Sequence, residues 1–349
     1  MKEFNYLNLN RFLLDQEIYN LIIAIYKEVG KYQSYEKIHL KELNKLINYT
    51  LFQSTITSNE IEGIRTTSTR INQLFSNKIS PKNKNEEEIL GYKEVLEIIN
   101  NSYDVIPINK NHILQLHQLL YKYINVSYKG KIKNVQNYIS RTSNNITEVI
   151  FTVLDPYEAN IALEEICLRY NETIFIKNFE PLILIPSFIH DFLCIHPFND
   201  GNGRISRLLT TLLLYKHKFM IAKYISIENL INNTKDNYYQ SLYFSQHHWY
   251  ENKEDKSHFI KYFLKILLTA YKELNKKQEF NKKDNAYEIV LNVINNFIGK
   301  FKKDDVVKNC LNLSLSSIEN ALRKLVKNNV IKKEGKGKNT YYFKIELIL

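Results

Sequence analysis

Apolar residues recur at spacings of three and four along most of the chain, the pattern of amphipathic helices. Between Gln16 and Ile64 this predicts two or three helices, among them "IYNLIIAIYKEVGKY" and "LKELNKLINYTLFQS". A polar stretch, "SNKISPKNKN", follows, then a helix in "EEEILGYKEVLEIIN" and a break at Pro107. "KNHILQLHQLLYKYI" has apolar residues at i, i+3, i+4 and i+7 and reads as helix again. The texture then changes. In "VQNYISRTSNNITEVIFTV" β-branched and aromatic residues flank "RTSNN", which predicts a β-hairpin. After Pro156 helices resume in "YEANIALEEICLRYNETIF", "PSFIHDFLCIH", "GRISRLLTTLLLYKHKF", "NTKDNYYQSLYFSQHH" and "KSHFIKYFLKILLTAYKEL". The run "NKKQEFNKKDN" reads as a polar linker.

The tail from Ala286 has its own order. The helix "AYEIVLNVINNF" is followed by "KKDDVVKNCL" and by a third helix, "SSIENALRKLVKNN", where Ser316 and Glu319 are spaced as a capping box. "VIKKEGKGKNTYYFKI" closes it as two strands around Gly335 and Gly337. This order is that of a winged helix-turn-helix, with the third helix in the recognition position.

Composition sharpens this picture in two places. Only 9 Gly and 6 Pro in 349 residues leave long helices uninterrupted, and 44% apolar residues supply a real core. Net charge is +11, and from Asn281 to Leu349 there are 14 Lys/Arg against 7 Asp/Glu. A basic terminal domain points to a polyanionic partner; a lysine-rich solvated surface is the bland alternative. Cys167, Cys194 and Cys310 are far apart, with no CxxC pattern, so neither a disulfide framework nor a structural zinc site is expected. The N-terminal residues lack the apolar core of a signal peptide, and no apolar run reaches membrane-spanning length. A cytoplasmic protein without membrane contact is the expectation.

One stretch stands out between two apolar runs: "CIHPFNDGNGRISRLL", Cys194 to Leu209. Proline pushes the residue before it out of the α region, so the first helix should end at or near His196. The glycines around Asn202 let successive backbone N–H groups face one point, where the next helix begins with its positive end. Arg204 and Arg207 are about 60° apart on that helix and can offer planar forks to phosphate oxygens. Asp200 adds one carboxylate beside this nest, which suits Mg²⁺. His196, with an ordinary pKa of about 6.5, is then a base within reach of the same anion. These parts specify phosphoryl or nucleotidyl transfer to a hydroxyl. The alternative, a tight turn between helices with a core histidine, leaves the His and the spaced arginines unexplained. The remaining histidines, including His190, His247 and His248, carry no metal-ligand spacing.

The segment from His196 to Arg207 resembles the signature of Fic-domain proteins, His-x-Phe-x-Asp/Glu-Gly-Asn-Gly-Arg-x-x-Arg, and meets it at every fixed position. The resemblance implies transfer of AMP from ATP to a Tyr, Thr or Ser hydroxyl of a target protein, and of this protein itself. His196 would be the general base and Asp200 the Mg²⁺ ligand. Gly201, Asn202 and Gly203 would cradle the phosphates, with Arg204 and Arg207 at the β/γ end. The hairpin at about 138–153 resembles the Fic flap, which aligns a target segment by strand addition. "DNYYQSLYFSQ" resembles the adenine-side helix, so Tyr239 and Gln246 would line the base, although relatives often have Asn where Gln246 stands. Gly203 occupies the position where the relative Doc has Lys, which argues against Doc-like phosphorylation.

A second motif lies upstream, in "TSNEIEGIRTT". Gly63 reads as a helix C-cap, which puts Glu62 where a negative charge opposes the helix dipole and wants a cation. Ser58, Glu62 and Gly63 match the family's inhibitory motif, Ser/Thr-x-x-x-Glu-Gly/Asn. Ser58 and Glu62 fall about 40° apart on one helical face. The family's inhibitory Glu pairs with the second Arg of the signature, here Arg207.

The expected fold class is thus mainly α: a helical region over 1–105 carrying the inhibitory helix (about 40–63), a Fic core with a small β-hairpin flap over 106–275, and a winged helix-turn-helix over 282–349. The expected activity is Mg-ATP-dependent adenylyl transfer restrained by Glu62, with DNA as a partner of the winged helix and a homodimer left open. Two alternatives stand beside it: Glu62-dependent removal of AMP from modified protein, and a DNA-binding regulator whose core only senses nucleotide.

Overall fold

In the computed structural model the chain is described over residues 2–345, apart from 77, 144–145, 296, 298, 311–312 and 336–339. It divides into two compact units, Met1–Leu274 and Asn275–Leu349.

After a short 3-10 helix (Leu9–Leu14), the first unit has a long helix, α1 (Gln16–Ile61), started by the Asp15 carboxylate, which accepts from the amides of Glu17 and Ile18. The sequence predicted two or three helices here. One 46-residue helix forms because no proline interrupts the span and Gly30 alone is a tolerated weak point. A short helix follows, α2 (Ser68–Phe75), capped by Thr67, in a span to which the sequence pattern assigned no element. Asn83 caps α3 (Lys84–Ser102), and Asn109 caps α4 (Lys110–Leu120). These two cross closely at Gly91, where any side-chain carbon would collide with the Leu120 carbonyl.

The predicted hairpin is present as antiparallel strands β1 (Tyr138–Ser143) and β2 (Ile146–Thr152), with a register shift between Ile139 and Ser140. Its turn, Asn144 and Asn145, lies outside the described residues. Three helices then make the centre of the unit: α5 (Pro156–Ile176), α6 (Pro181–Ile195) and α7 (Asn202–Lys216). From Leu182 to Ile195 every residue of α6 is buried, as expected of a helix that is apolar all round. It packs between α5 and α7, and α7 in turn meets α3 and α1. Short helices α8 (Ile227–Asn233) and α9 (Lys235–Ser245) lead to α10 (Ser257–Asn295). The residues read as a linker, 275–285, are part of α10. Lys, Gln, Glu and Asn without Gly or Pro continue a helix as readily as they form a linker.

Asp191, fully buried on α6, ties three segments together. It accepts from Tyr6 Oη at 2.9 Å, Trp249 Nε1 at 2.9 Å and Lys256 Nζ at 2.6 Å. Burial pushes this carboxyl up, but the Lys256 charge wins and holds it well below the usual carboxylate range. A buried ion is tolerated here because it is paired and its lone pairs are filled.

The second unit contains the end of α10, then α11 (Lys303–Asn309), α12 (Leu315–Lys327) and the hairpin β3 (Ile331–Glu334) and β4 (Tyr341–Lys344). Phe301 exchanges both backbone hydrogen bonds with Tyr342 at 2.9 Å and so extends this small sheet. Val290, Ile294, Val306, Ile318, Leu322, Leu325 and Ile331 form its own core. The predicted capping box at Ser316 and Glu319 does not form. Ser314 caps α12 instead, accepting from the Ser317 amide, and Glu319 pairs with Lys303 at 2.9 Å. Gly337 lies outside the described residues. Among the described residues no helix is long and apolar enough to cross a membrane.

Candidate active site

The site forms where α6 hands over to α7. His196 terminates α6 in the left-handed region (φ 51°), out of the α conformation that Pro197 disfavours. Its Nδ1 faces the Leu193 carbonyl at 3.3 Å, which places the proton on Nδ1 and leaves Nε2 as the free acceptor. Burial pushes the imidazole down to about 4, aided by the Lys133 charge and opposed by the Leu193 carbonyl, Glu62 and Asp200. At neutral pH it is therefore uncharged.

The loop that follows is held from several sides. Asn202 donates from Nδ2 to the Phe198 carbonyl at 2.8 Å and accepts the Phe198 amide at 3.0 Å, so its side chain closes the loop on itself. Asn137 Nδ2 donates to the same carbonyl at 3.0 Å, and the Lys133 amide donates to Pro197 O at 2.9 Å. His117 stacks on Phe198, ring centres 3.8 Å apart. Its Nδ1 accepts the Gly130 amide at 2.9 Å, so its Nε2 carries the proton and donates to the Asp200 carbonyl at 3.0 Å. Burial pushes this imidazole, too, down to about 4.

Gly201 is the N-cap of α7 at φ 82°, a conformation that glycine adopts without strain. No side chain caps this end of α7, so its first amides remain available to an anion. The Asp200 carboxylate stands beside it, half exposed, accepting from the Gly201 amide at 2.7 Å.

Arg204 and Arg207 diverge because of the 60° between them. Arg204 turns to α3 and α4: it pairs with Glu88, donates to Tyr121 Oη at 2.6 Å and lies over the Tyr121 ring. It is fully buried, and its Nη2 lies 3.8 Å from Asp200 Oδ1. Instead of a second open fork, this side chain ties α7 to α3 and α4. Arg207 turns to α1. Its Nε donates to Ser58 Oγ at 2.7 Å, and its Nη2 donates to Ser58 O and to Glu62 Oε1, each at 2.8 Å. Glu62 also sits directly on Gly203, where a methyl group would collide with its Oε1. A carboxylate thus stands at the anion-binding end of α7.

Tyr239 and Gln246 lie on and just after α9. Tyr239 is 44% exposed, with Lys235 Nζ 5.8 Å from its ring centre. Gln246 is buried and donates to the Ile150 carbonyl at 3.4 Å, so its amide holds strand β2. Tyr250 supports the same strand, donating to Thr152 O at 2.6 Å.

Glu88, Tyr121, His117, Lys133 and Asn137 carry weight in this site that the sequence did not reveal. His117 sits on the apolar face of α4, four residues after Ile113, which marks a buried histidine; its partner lies 83 residues away. Among the described residues no cluster of three or more His, Cys, Asp or Glu is placed to hold a metal. One half-exposed carboxylate beside an anion nest still fits Mg²⁺, which takes one or two protein carboxylates and fills its shell with phosphate oxygens and water.

Residues 107–214 match the Fic/DOC family. Over 104 residues the chain is 33% identical to a Fido domain-containing protein of Dictyostelium discoideum, covering 30% of this chain and 68% of that one. The chain belongs to the Fic/DOC family. It is also 25% identical over 187 residues to the protein adenylyltransferase fic-1 of Caenorhabditis elegans, a match spanning 52% of this chain and 32% of that longer one. The fold is similar to that of a Fic family protein from Desulfovibrio desulfuricans G20, with a TM-score of 0.61 at 19% identity over 95% of this chain and 96% of that one.

The buried Arg204 generates a prediction. Glu88→Ala should destabilise the protein by about 3–5 kcal/mol, the usual cost of stranding one partner of a buried ion pair. Replacing both, Glu88→Leu with Arg204→Met, should cost less than the single change. Urea unfolding of parent, single and double variants checks this.

Proposed function

We propose that this protein transfers AMP from ATP to a hydroxyl of a target protein and of itself, and that Glu62 restrains it. The observation that carries this reading is the convergence of His196 Nε2, the α7 anion nest and Asp200 on one short loop. In the reaction, His196 takes the proton of a Tyr, Thr or Ser hydroxyl. The oxygen attacks the α-phosphorus, the bond to the bridging oxygen breaks, and pyrophosphate leaves. The neutral His196, with its proton fixed on Nδ1, is in the state this step needs. The amides of Gly203 and its neighbours would bind the phosphates, Arg207 the γ end, and Asp200 would hold Mg²⁺. Bound there, Mg²⁺ would offset the charge of the phosphates. The target segment would add to the flap hairpin as a strand, with Gln246 and Tyr250 steadying β2 from behind. Tyr239, on α9, would line the base. Buried, unpaired Cys167, Cys194 and Cys310 suit a reducing cytoplasm.

Restraint follows from Arg207. While Glu62 and Ser58 hold its fork, a γ-phosphate cannot, and a nucleotide displaced by about 1 Å can lose on the order of 100-fold in rate. Labelled ATP tests the whole reading. Protein should take label from the α- but not the γ-phosphate. Glu62→Gly should raise this labelling at least tenfold, and adding His196→Ala should abolish it. Labelling from the γ-phosphate, or none from either in the Glu62→Gly variant, would contradict the proposal.

The C-terminal unit supports a second role. We propose that it is a winged helix that contacts duplex DNA through α12. Ser316, Asn320, Arg323, Lys324 and Lys327 are exposed along that helix, and Lys332 and Lys333 are exposed on β3. Replacing Arg323 and Lys327 by Glu should weaken binding to duplex DNA and reduce the slope of log K against log salt by about 2. Binding with an unchanged slope would place the DNA contact elsewhere.

A further inference from the structure

The last turn of an α-helix leaves four carbonyl groups without partners inside it. In α1 these belong to Ser58, Asn59, Glu60 and Ile61, and each has found a donor. The Glu62 and Ile64 amides donate to Asn59 O, and the Gly63 amide donates to Glu60 O. The other two are met by cations from distant helices. Arg207 Nη2 donates to Ser58 O at 2.8 Å, and Lys235 Nζ donates to Ile61 O at 2.7 Å. The last turn of α1 has no basic residue of its own, so these two charges face the negative end of the helix and the Glu62 carboxylate next to it.

The two cations differ in what else they serve. Arg207 belongs to the anion site of α7. Lys235 is the first residue of α9, and its ammonium also lies over the Tyr239 ring. The end of α1 is thus fastened at one point to the phosphate side of the site and at another to the side where Tyr239 stands.

We propose that Lys235 is a second latch on α1, which holds Glu62 in place and makes its release depend on α9 as well as on Arg207. This rests on the reading of Glu62 as the restraining residue. When an incoming phosphate competes for Arg207, Lys235 keeps the last turn of α1 against the core, and Glu62 returns readily. Without Lys235, the same competition frees the end of the helix.

Two measurements on the full chain test this separately. The first is hydrogen exchange of peptides covering 55–64 in the parent, Lys235→Met and Lys235→Arg, without nucleotide. Lys235→Met should speed exchange of the last-turn amides roughly tenfold, the size expected for one hydrogen bond to a charged group, and Lys235→Arg should restore protection. The second is transfer from α-labelled ATP by the parent, Lys235→Met, Glu62→Gly and the double variant. Lys235→Met should raise labelling, and should add nothing once Glu62 is gone. Unchanged exchange in Lys235→Met overturns the latch. So does a loss of labelling in Lys235→Met that persists in the Glu62→Gly background, which would assign the lysine to the nucleotide. If Glu62→Gly itself labels no faster than the parent, the inhibitory reading fails, while the exchange result still decides whether Lys235 fastens the helix.

Discussion

The Arg207 guanidinium is 4% exposed, and a charge so far from water must have an anion or a set of acceptors beside it at all times. Ser58 Oγ, Ser58 O and Glu62 Oε1 fill that need in this structure. A phosphate could fill it as well, because the cost of desolvating the arginine is common to both arrangements. The two carboxylate–arginine partners are also unequal. Glu62 is 34% exposed against 4% for Arg207, so the glutamate can swing out and regain water while the arginine stays fixed.

Fixing that arginine is the task of everything around it. Three positions of the His196–Arg207 segment are set by short-range chemistry: a proline that ends α6, a left-handed glycine that starts α7, an asparagine that pins the loop. The segment would still drift without anchors from outside. Arg204 provides one by locking α7 to α3 and α4 through Glu88 and Tyr121. His117 and Asn137 provide others by bonding the carbonyls of Asp200 and Phe198. Buried polar groups of this kind specify a single loop geometry because each unsatisfied alternative costs about 1–3 kcal/mol.

Which of these features could be read from the sequence depends on the range of the interaction. The end of α6 at His196, the hairpin and the uncapped start of α7 follow from Pro197, from the β-branched residues around "RTSNN" and from Gly201, all local causes. The single span of α1 and the continuation of α10 through 275–285 did not emerge. Polar helix formers without Gly or Pro satisfy a helix and a linker equally, and only packing at both ends decides. Ser314 displaced Ser316 as the cap of α12 for a similar reason: several serines compete, and the winner is set by where the chain enters the unit. The divergence of Arg204 from Arg207 was beyond reach, since it needs Glu88, 116 residues earlier, to be in place.

The central claim is that Glu62 and the γ end of a nucleotide compete for Arg207. Calorimetric titration of ATP and of AMP into the parent and into Glu62→Gly tests it without relying on turnover. AMP has no β- or γ-phosphate and should bind both proteins alike, whereas ATP should bind Glu62→Gly at least tenfold more tightly than the parent. Equal ATP affinities in the two proteins, or a gain shared by AMP, would contradict the account.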